Sequence, residues 1–336
     1  MTNMDFFQFV SELPDTSWKK KFIDLGKLPI EPIRQSNIAT YLECPKQALL
    51  YEASKLDTTS VNIVRADAIL GTVFHLAIEE AFKDPEWIRH ASSEYWRQLL
   101  QDVCTMENVE YKNYQDYAFR MCVRNNFGGK SLSEIVEEIV KLINLFKLEI
   151  IAVEKKILFK IGKITFQGTM DLLLRHPDGS ISLPDIKTTG LFEKVLERGT
   201  SKKYAPSESK LKYSPQLNHY AWLCWRSGLL KEYNIDKIDK IGFILPTNLV
   251  PYVRGSAAGQ IKGSPIFLED FNMDSLYRYE QDLYQWLKLM ASGYDARHYP
   301  RHFGRIICDT NCRFATACLG DQLPMETPDY GEYNAD

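Results

Sequence analysis

The sequence predicts an α/β (α+β) fold, with a mixed β-sheet core flanked by helices behind a mainly helical N-terminal part. Three observations predict it. Apolar residues recur at helical spacing through roughly the first 150 positions. Between 151 and 187 the pattern changes to the two-residue alternation of strands, punctuated by turn residues. Helical and strand-like segments then follow in turn towards the C-terminus.

Taken in order, Ile38, Tyr41, Leu42, Leu49 and Leu50 fall at helical spacing on either side of a Cys44-Pro45 break. Val73, Phe74, Ala77, Ile78 and Phe82 form a second apolar stripe. Ser131 and Glu134 make a capping box that opens an amphipathic helix through Ile135, Val136, Ile139, Val140, Ile143 and Phe146. Strands are expected near 151–161, 163–175 and 180–187, with Gly162 at the first turn and Pro177-Asp178-Gly179 at the second. A helix near 214–228, a strand near 240–246 and a long helix near 273–291 complete the core. The expected division is a helical part over 1–150, a core over 151–300, a cysteine segment over 301–320 and an acidic, flexible tail over 321–336.

Within the expected hairpin, Gly168 to Gly190 reads GTMDLLLRHPDGSISLPDIKTTG. Asp185 and Lys187 lie two apart on one strand and so point the same way. Asp171 falls on the less apolar face of the preceding strand, opposite Ile164, Phe166, Met170, Leu172 and Leu174. Two carboxylates and an ammonium could converge there to hold a divalent cation beside a negatively charged substrate. Alone, such a pattern also fits the solvated face of an ordinary hairpin. Pro184, poorly suited to a central strand, implies an edge position or a bulge.

Cys308, Cys312 and Cys318 crowd into CDTNCRFATAC, and Cys44 is the partner at the other end of the chain. Four thiols suit a structural zinc or an iron–sulfur cluster, and the unequal spacing favours the cluster without excluding zinc. Cys104, Cys122 and Cys224 lie in apolar helical contexts and read as core residues.

The net charge is −3, but residues 319–336 hold five acids and no base, leaving 41 bases against 39 acids elsewhere. Any nucleic-acid surface must therefore come from local clustering. One cluster spans 193–213, with Lys194, Arg198, Lys202, Lys203, Lys210 and Lys212 against three Glu. It reads equally as a solvated loop and as a phosphate-contacting one. MTNMDFFQFV has no secretory pattern, and no uncharged apolar run nears the roughly 18–20 residues that span a bilayer. The expectation is a soluble intracellular protein without membrane contact.

The ordered set Cys44-Pro45, Gly71-Thr-Val-Phe-His75, Gly168-Thr-Met-Asp171, Asp185-Ile-Lys187, Gln216-Leu-Asn-His-Tyr220 and the three-cysteine run resembles the PD-(D/E)XK nuclease superfamily. Within it, the set looks most like RecB-type nucleases with a four-iron, four-sulfur cluster, the CRISPR-associated and AddB-like group. The resemblance implies a restriction-endonuclease-like core. It makes His75, Asp171, Asp185 and the Ile186 backbone carbonyl ligands for Mg²⁺ or Mn²⁺, and Lys187 the group that orients water and stabilises phosphate charge. Asp171 and Asp185 count with Lys187 as catalytic. Cys44, Cys308, Cys312 and Cys318 become cluster ligands, with zinc the lesser occupant. Gln216 and Tyr220 become contacts to DNA or supports of the lysine, and Lys202 and Lys203 of the basic loop are the accompanying DNA-contact candidates. Glu79 and Glu154 are further acids near the expected site. Asp185 stands where Glu is more frequent, and no chemical group the reaction needs is missing.

The implied activity is a metal-dependent deoxyribonuclease, an exonuclease on single-stranded DNA or duplex ends in recombination, repair or replication. A helicase, recombinase or integrase partner and a phage or viral origin fit the same group. Two rivals are a catalytically silent DNA-binding subunit of the same fold and a zinc-stabilised interaction protein.

Overall fold

The computed structural model describes residues 17–26, 28, 30–45, 47–48, 66–84, 86–113, 131–187, 214–249 and 264–292. The chain divides into two compact units, one drawn from 1–58, 162–164 and 285–336, the other from 59–161 and 165–284.

In the first unit, helix α1 spans Ser17–Ile23 and α2 spans Gln35–Glu43. Cys44 ends α2 in an extended conformation, its N–H donating to the Thr40 carbonyl at 2.8 Å. The following proline explains this, because a residue before proline is pushed out of the helical region.

The second unit begins with α3 (Ala66–Lys83), α4 (Ser93–Met106) and α5 (Leu132–Leu145). Ile69, Leu70, Val73, Phe74, Ala77 and Ile78 bury α3 against Trp96, Leu100 and Val103 of α4 and Ile135, Val136, Ile139 and Ile143 of α5. Each buried Val, Leu, Ile or Phe among them contributes about 1.5–3 kcal/mol of transfer free energy. The capping box starts α5: the Glu134 N–H donates to Ser131 Oγ, and the Ser131 N–H to Glu134 Oε2. Phe146 departs from the expected stripe, lying 52% exposed at the C-cap just past the last turn.

The sheet has the order β1-β2-β3-β4-β5. Strands β1 (Glu149–Ile161), β2 (Ile164–Arg175) and β3 (Ile181–Ile186) correspond to the expected three. Helix α6 (Pro215–Arg226) carries the chain over to β4 (Lys240–Ile244), which runs parallel to β3 with Asp185 opposite Phe243. A helical crossover is the connection a parallel pair needs. Strand β5 (Ile266–Asp270), absent from the sequence expectation, pairs antiparallel with β4, and α7 (Asp274–Ser292) follows. The fold is thus mixed α/β, a five-stranded sheet flanked by helices. Among the described residues no helix is long and apolar enough to cross a membrane.

Pro184 corrects one expectation, since it lies in β3, an interior strand, and pairs with Gly242. The Lys187 N–H points to Ile244 in β4, and the Ile186 N–H points the other way, to Asp171. By alternation, Pro184 aims its missing donor at the β2 side, beyond the β2–β3 register of Leu174↔Ser182 and Arg175↔Ile181. The proline therefore removes no hydrogen bond from the parallel ladder.

The sheet face opposite α3 packs Phe159 and Phe166 on Trp222 of α6. Trp222 Nε1 donates to Glu280 Oε2 at 2.9 Å, and Arg226 forks onto the same carboxylate at 2.7 and 3.0 Å. The Arg226 side chain is only 8% exposed, so Glu280→Ala removes the carboxylate that accepts from a buried guanidinium. Urea unfolding of that variant should show a loss of about 3–5 kcal/mol, whereas a surface pair would lose under about 1 kcal/mol.

Candidate active site

The β2–β3 register, continued inward, sets Asp171 opposite Asp185. Both are buried, at 8% and 2% exposure. This departs from the polar hairpin face expected of Asp171, because residues 170–174 are all buried. The reason is that helices cover both faces of the sheet, and such strands lose their alternation.

Two carboxylates out of water and side by side resist ionisation. Asp185 is pushed up to about 7, first by burial and then by the charge of Asp171, against the pull of Lys187 and His75. Burial raises Asp171 to about 6, with His75 the main opposing influence. The surrounding groups offset the cost. The Ile186 N–H donates to Asp171 Oδ2 at 2.6 Å. His75, from the middle of α3, places Nδ1 2.7 Å from Glu154 Oε1 and 3.8 Å from Asp171 Oδ2. Burial disfavours charge on His75, yet Asp171 and Glu154 outweigh it and hold the imidazole near 9, as the cation.

Lys187, just past β3, donates to Gln216 Oε1, and its Nζ lies 5.7 Å from the centre of the Phe243 ring. Gln216 sits in the first turn of α6, after the Ser214 cap and Pro215. Its amide donates to Asp185 Oδ1 at 2.9 Å and lies 3.2 Å from the Tyr220 hydroxyl. Lys187 Nζ is 2.8 Å from Asp185 Oδ2, but off the direction of a hydrogen bond, so that buried oxygen lacks an aligned donor. Tyr220 is itself pushed above its usual range by burial.

Glu154 was not separable from Glu79 in the sequence. The structure separates them: Glu79 is 2.5 Å from Lys83 along the exposed face of α3, whereas Glu154 reaches His75. Glu154 takes φ +44° in the middle of β1, a left-handed residue inside a strand. Such a bulge re-aims a side chain, and its strain of about 1–3 kcal/mol persists only where surroundings enforce it. Periodicity arguments assume an unbroken strand and could not have found it.

Ligand atoms of His75, Glu154 and Asp171 lie within 4.8 Å of one another. Asp185 stands outside that trio, turned to Lys187 and Gln216, with its unaligned Oδ2 available. Hard carboxylate oxygens with one imidazole suit Mg²⁺ or Mn²⁺. The donor set, with a buried carboxylate oxygen that has no aligned hydrogen bond, therefore fits a divalent cation.

Cys44 is half-buried at the end of α2, and Cys104 and Cys224 are buried core thiols. Cys308, Cys312, Cys318, Lys202 and Lys203 lie outside the described residues.

A family profile for the PD-(D/E)XK nuclease superfamily matches residues 33–319. No curated protein matches the chain.

Two outcomes follow from this geometry. Folded-state pKa values raised in Asp171, Asp185 and His75 give stability that is present at low pH and lost as pH rises through about 6, 7 and 9. The metal-free protein should melt progressively lower from pH 5 to pH 9, and the increment from saturating Mn²⁺ should widen over the same span. A flat gap between the two melting curves would contradict the assignment. Gly168 has the second consequence: a Cβ there would meet Leu223 Cδ1 at 2.7 Å and the Tyr220 ring at 3.1 Å. Gly168→Ala should displace the Tyr220 end of α6 and cost about 1–3 kcal/mol by overpacking, read by thermal melting.

Proposed function

The chain belongs to the PD-(D/E)XK nuclease superfamily, whose membership implies metal-dependent nuclease activity, and on that premise we propose a deoxyribonuclease that removes nucleotides from single-stranded DNA or duplex ends. The observation that carries this reading is the buried Asp171–Asp185 pair, flanked by His75 and Glu154 on one side and Lys187 on the other.

In this reading His75, Glu154, Asp171, Asp185 and the Ile186 carbonyl hold the cation. The Ile186 N–H already faces Asp171, and an extended residue's carbonyl leaves the strand on the same edge. The bound cation supplies Lewis-acid stabilisation of charge on the phosphoryl oxygens. The chain's own residues do the rest. Lys187 donates to the attacking water and to the phosphoryl oxygen that gains charge, an ammonium fixed in place before the reaction. Gln216 holds Lys187 through its carbonyl and Asp185 through its amide, so that lysine and carboxylate keep one relative position. Tyr220 backs Gln216 one helical turn further on. Gln216 and Tyr220, with Lys202 and Lys203, are proposed to meet the DNA.

The finer assignment is the RecB-type group with an iron–sulfur cluster on Cys44, Cys308, Cys312 and Cys318, acting in recombination, repair or replication. The division into a helical part (1–150), nuclease core (151–300), cluster segment (301–320) and tail (321–336) belongs to the same proposal. Support comes from cysteine spacing and motif order. Anaerobically purified protein should be brown and carry iron and sulfide, and a colourless protein with stoichiometric zinc would replace the cluster by zinc.

The deciding experiment is Mg²⁺- or Mn²⁺-dependent degradation of end-labelled single-stranded DNA by wild type and Lys187→Ala. Expected is cleavage by wild type and a loss of at least about 100-fold in the variant, with Mn²⁺ binding retained. Binding without cleavage by wild type, on any DNA or RNA, would favour the silent DNA-binding subunit.

A further inference from the structure

The β1 strand changes facing at its bulge. Beyond Glu154, Ile157 and Ile161 are buried and Phe159 packs on Trp222, so the odd positions face α6. Lys156, Leu158 and Lys160 consequently share the opposite side, and all three are exposed, Leu158 at 65%. In an unbroken strand these positions would share the side of the buried Ala152. The left-handed residue at Glu154 thus turns one acid into the candidate site and turns two lysines outward.

Among the described residues some surface lysines pair with carboxylates, and others, Lys156, Lys160 and Lys231 among them, do not; what sets Lys156 and Lys160 apart is their place on β1 next to Glu154. Lys83, Lys141 and Lys237 lie 2.5, 2.6 and 2.8 Å from carboxylates. Lys156 and Lys160 have no such partner among the described residues. They stand ~13 Å apart on an edge strand, and Lys156 begins ~7 Å along the chain from Glu154. Two uncompensated ammonium groups with an apolar side chain between them, leading away from a phosphoryl-transfer site, match the chemistry of one nucleic-acid strand. Phosphates would meet the ammonium groups, and sugar or base would rest on the leucine.

We infer that the outer side of β1, through Lys156 and Lys160 with Leu158 between them, is a contact track for the phosphate backbone of the strand entering the site. The inference rests on the nuclease reading and specifies how its substrate is held. Lysines on an exposed edge can also serve only to discourage pairing with another chain, and the test separates that role.

The test is fluorescence anisotropy of a labelled single-stranded oligodeoxynucleotide with the full chain in chelator, across a salt series. Lys156→Gln/Lys160→Gln is compared with wild type and with Lys231→Gln, an exposed lysine elsewhere. Each lost phosphate contact should flatten the slope of log affinity against log salt by ~0.7, so the double variant should lose ~1.4. Lys231→Gln should match wild type. An unchanged slope in a monomeric double variant would overturn the track and leave the nuclease reading intact. An unchanged slope with new self-association would also overturn it and assign the lysines to edge protection. Wild type that binds neither DNA nor RNA at low salt removes the track and the nuclease reading together.

Discussion

The rest of the structure is arranged around one unfavourable contact, Asp171 facing Asp185 from neighbouring strands with almost no water. Left alone, such a pair would take up protons and lose its charge. Each group nearby reduces that tendency by a different means. The Ile186 amide saturates one oxygen of Asp171, the His75 imidazolium stands 3.8 Å from it, and Lys187 and Gln216 crowd Asp185. The compensation is incomplete, since both aspartates remain raised and one oxygen of Asp185 keeps no aligned donor. A fold selected for stability alone would put uncharged side chains here. Carboxylates kept buried at such cost are the ligands that a candidate cation site offers.

The topology brings these groups together with little further adjustment. A parallel β3–β4 pair requires a crossover, and that crossover, α6, starts beyond the end of β3. Its first turn therefore lies beside Asp185 and Lys187, and Gln216 there reaches both. The same end is anchored elsewhere. Trp222 and Arg226 fasten α6 to Glu280, and Gly168 lets Tyr220 and Leu223 lie directly on β2. Packing on the sheet's far side thus sets the position of a polar side chain at the candidate site. The PD-(D/E)XK assignment of residues 33–319 spans all of these elements.

Much of this was legible in the sequence, because it depended on local pattern. The capping box of α5, the turn at Pro177–Gly179, the extent of β2 and that of α6 are written within a few residues each. What escaped depends on partners distant in the chain. Strand β5 is five residues, four of intermediate burial and the last exposed, and its pairing with β4 decides its state more than its own sequence does. Pro184 read as an edge or bulge residue, since the sequence does not say which neighbour its missing donor would have faced. Asp171 read as half-solvated, since alternation on one strand is silent about a helix covering the second face. Glu154 could not be chosen over Glu79, since only the bulge distinguishes them.

That bulge ties the local anomaly to the whole. A regular β1 would have to choose which side of the sheet its even-numbered residues face, and no single choice works here. Val153, before Glu154, packs on the helical core, whereas Phe159, of the same parity beyond it, must fill the space against Trp222. One left-handed residue resolves the conflict by exchanging the two faces in a single step. Placing the change at an acid rather than at a glycine carries a conformational penalty, and the compensation lies in the bond from Glu154 to His75. The strained residue is therefore also the one that joins the strand to α3. Its position follows from two requirements met at once, a carboxylate beside His75 and Asp171 and an apolar face for the aromatic cluster beyond it.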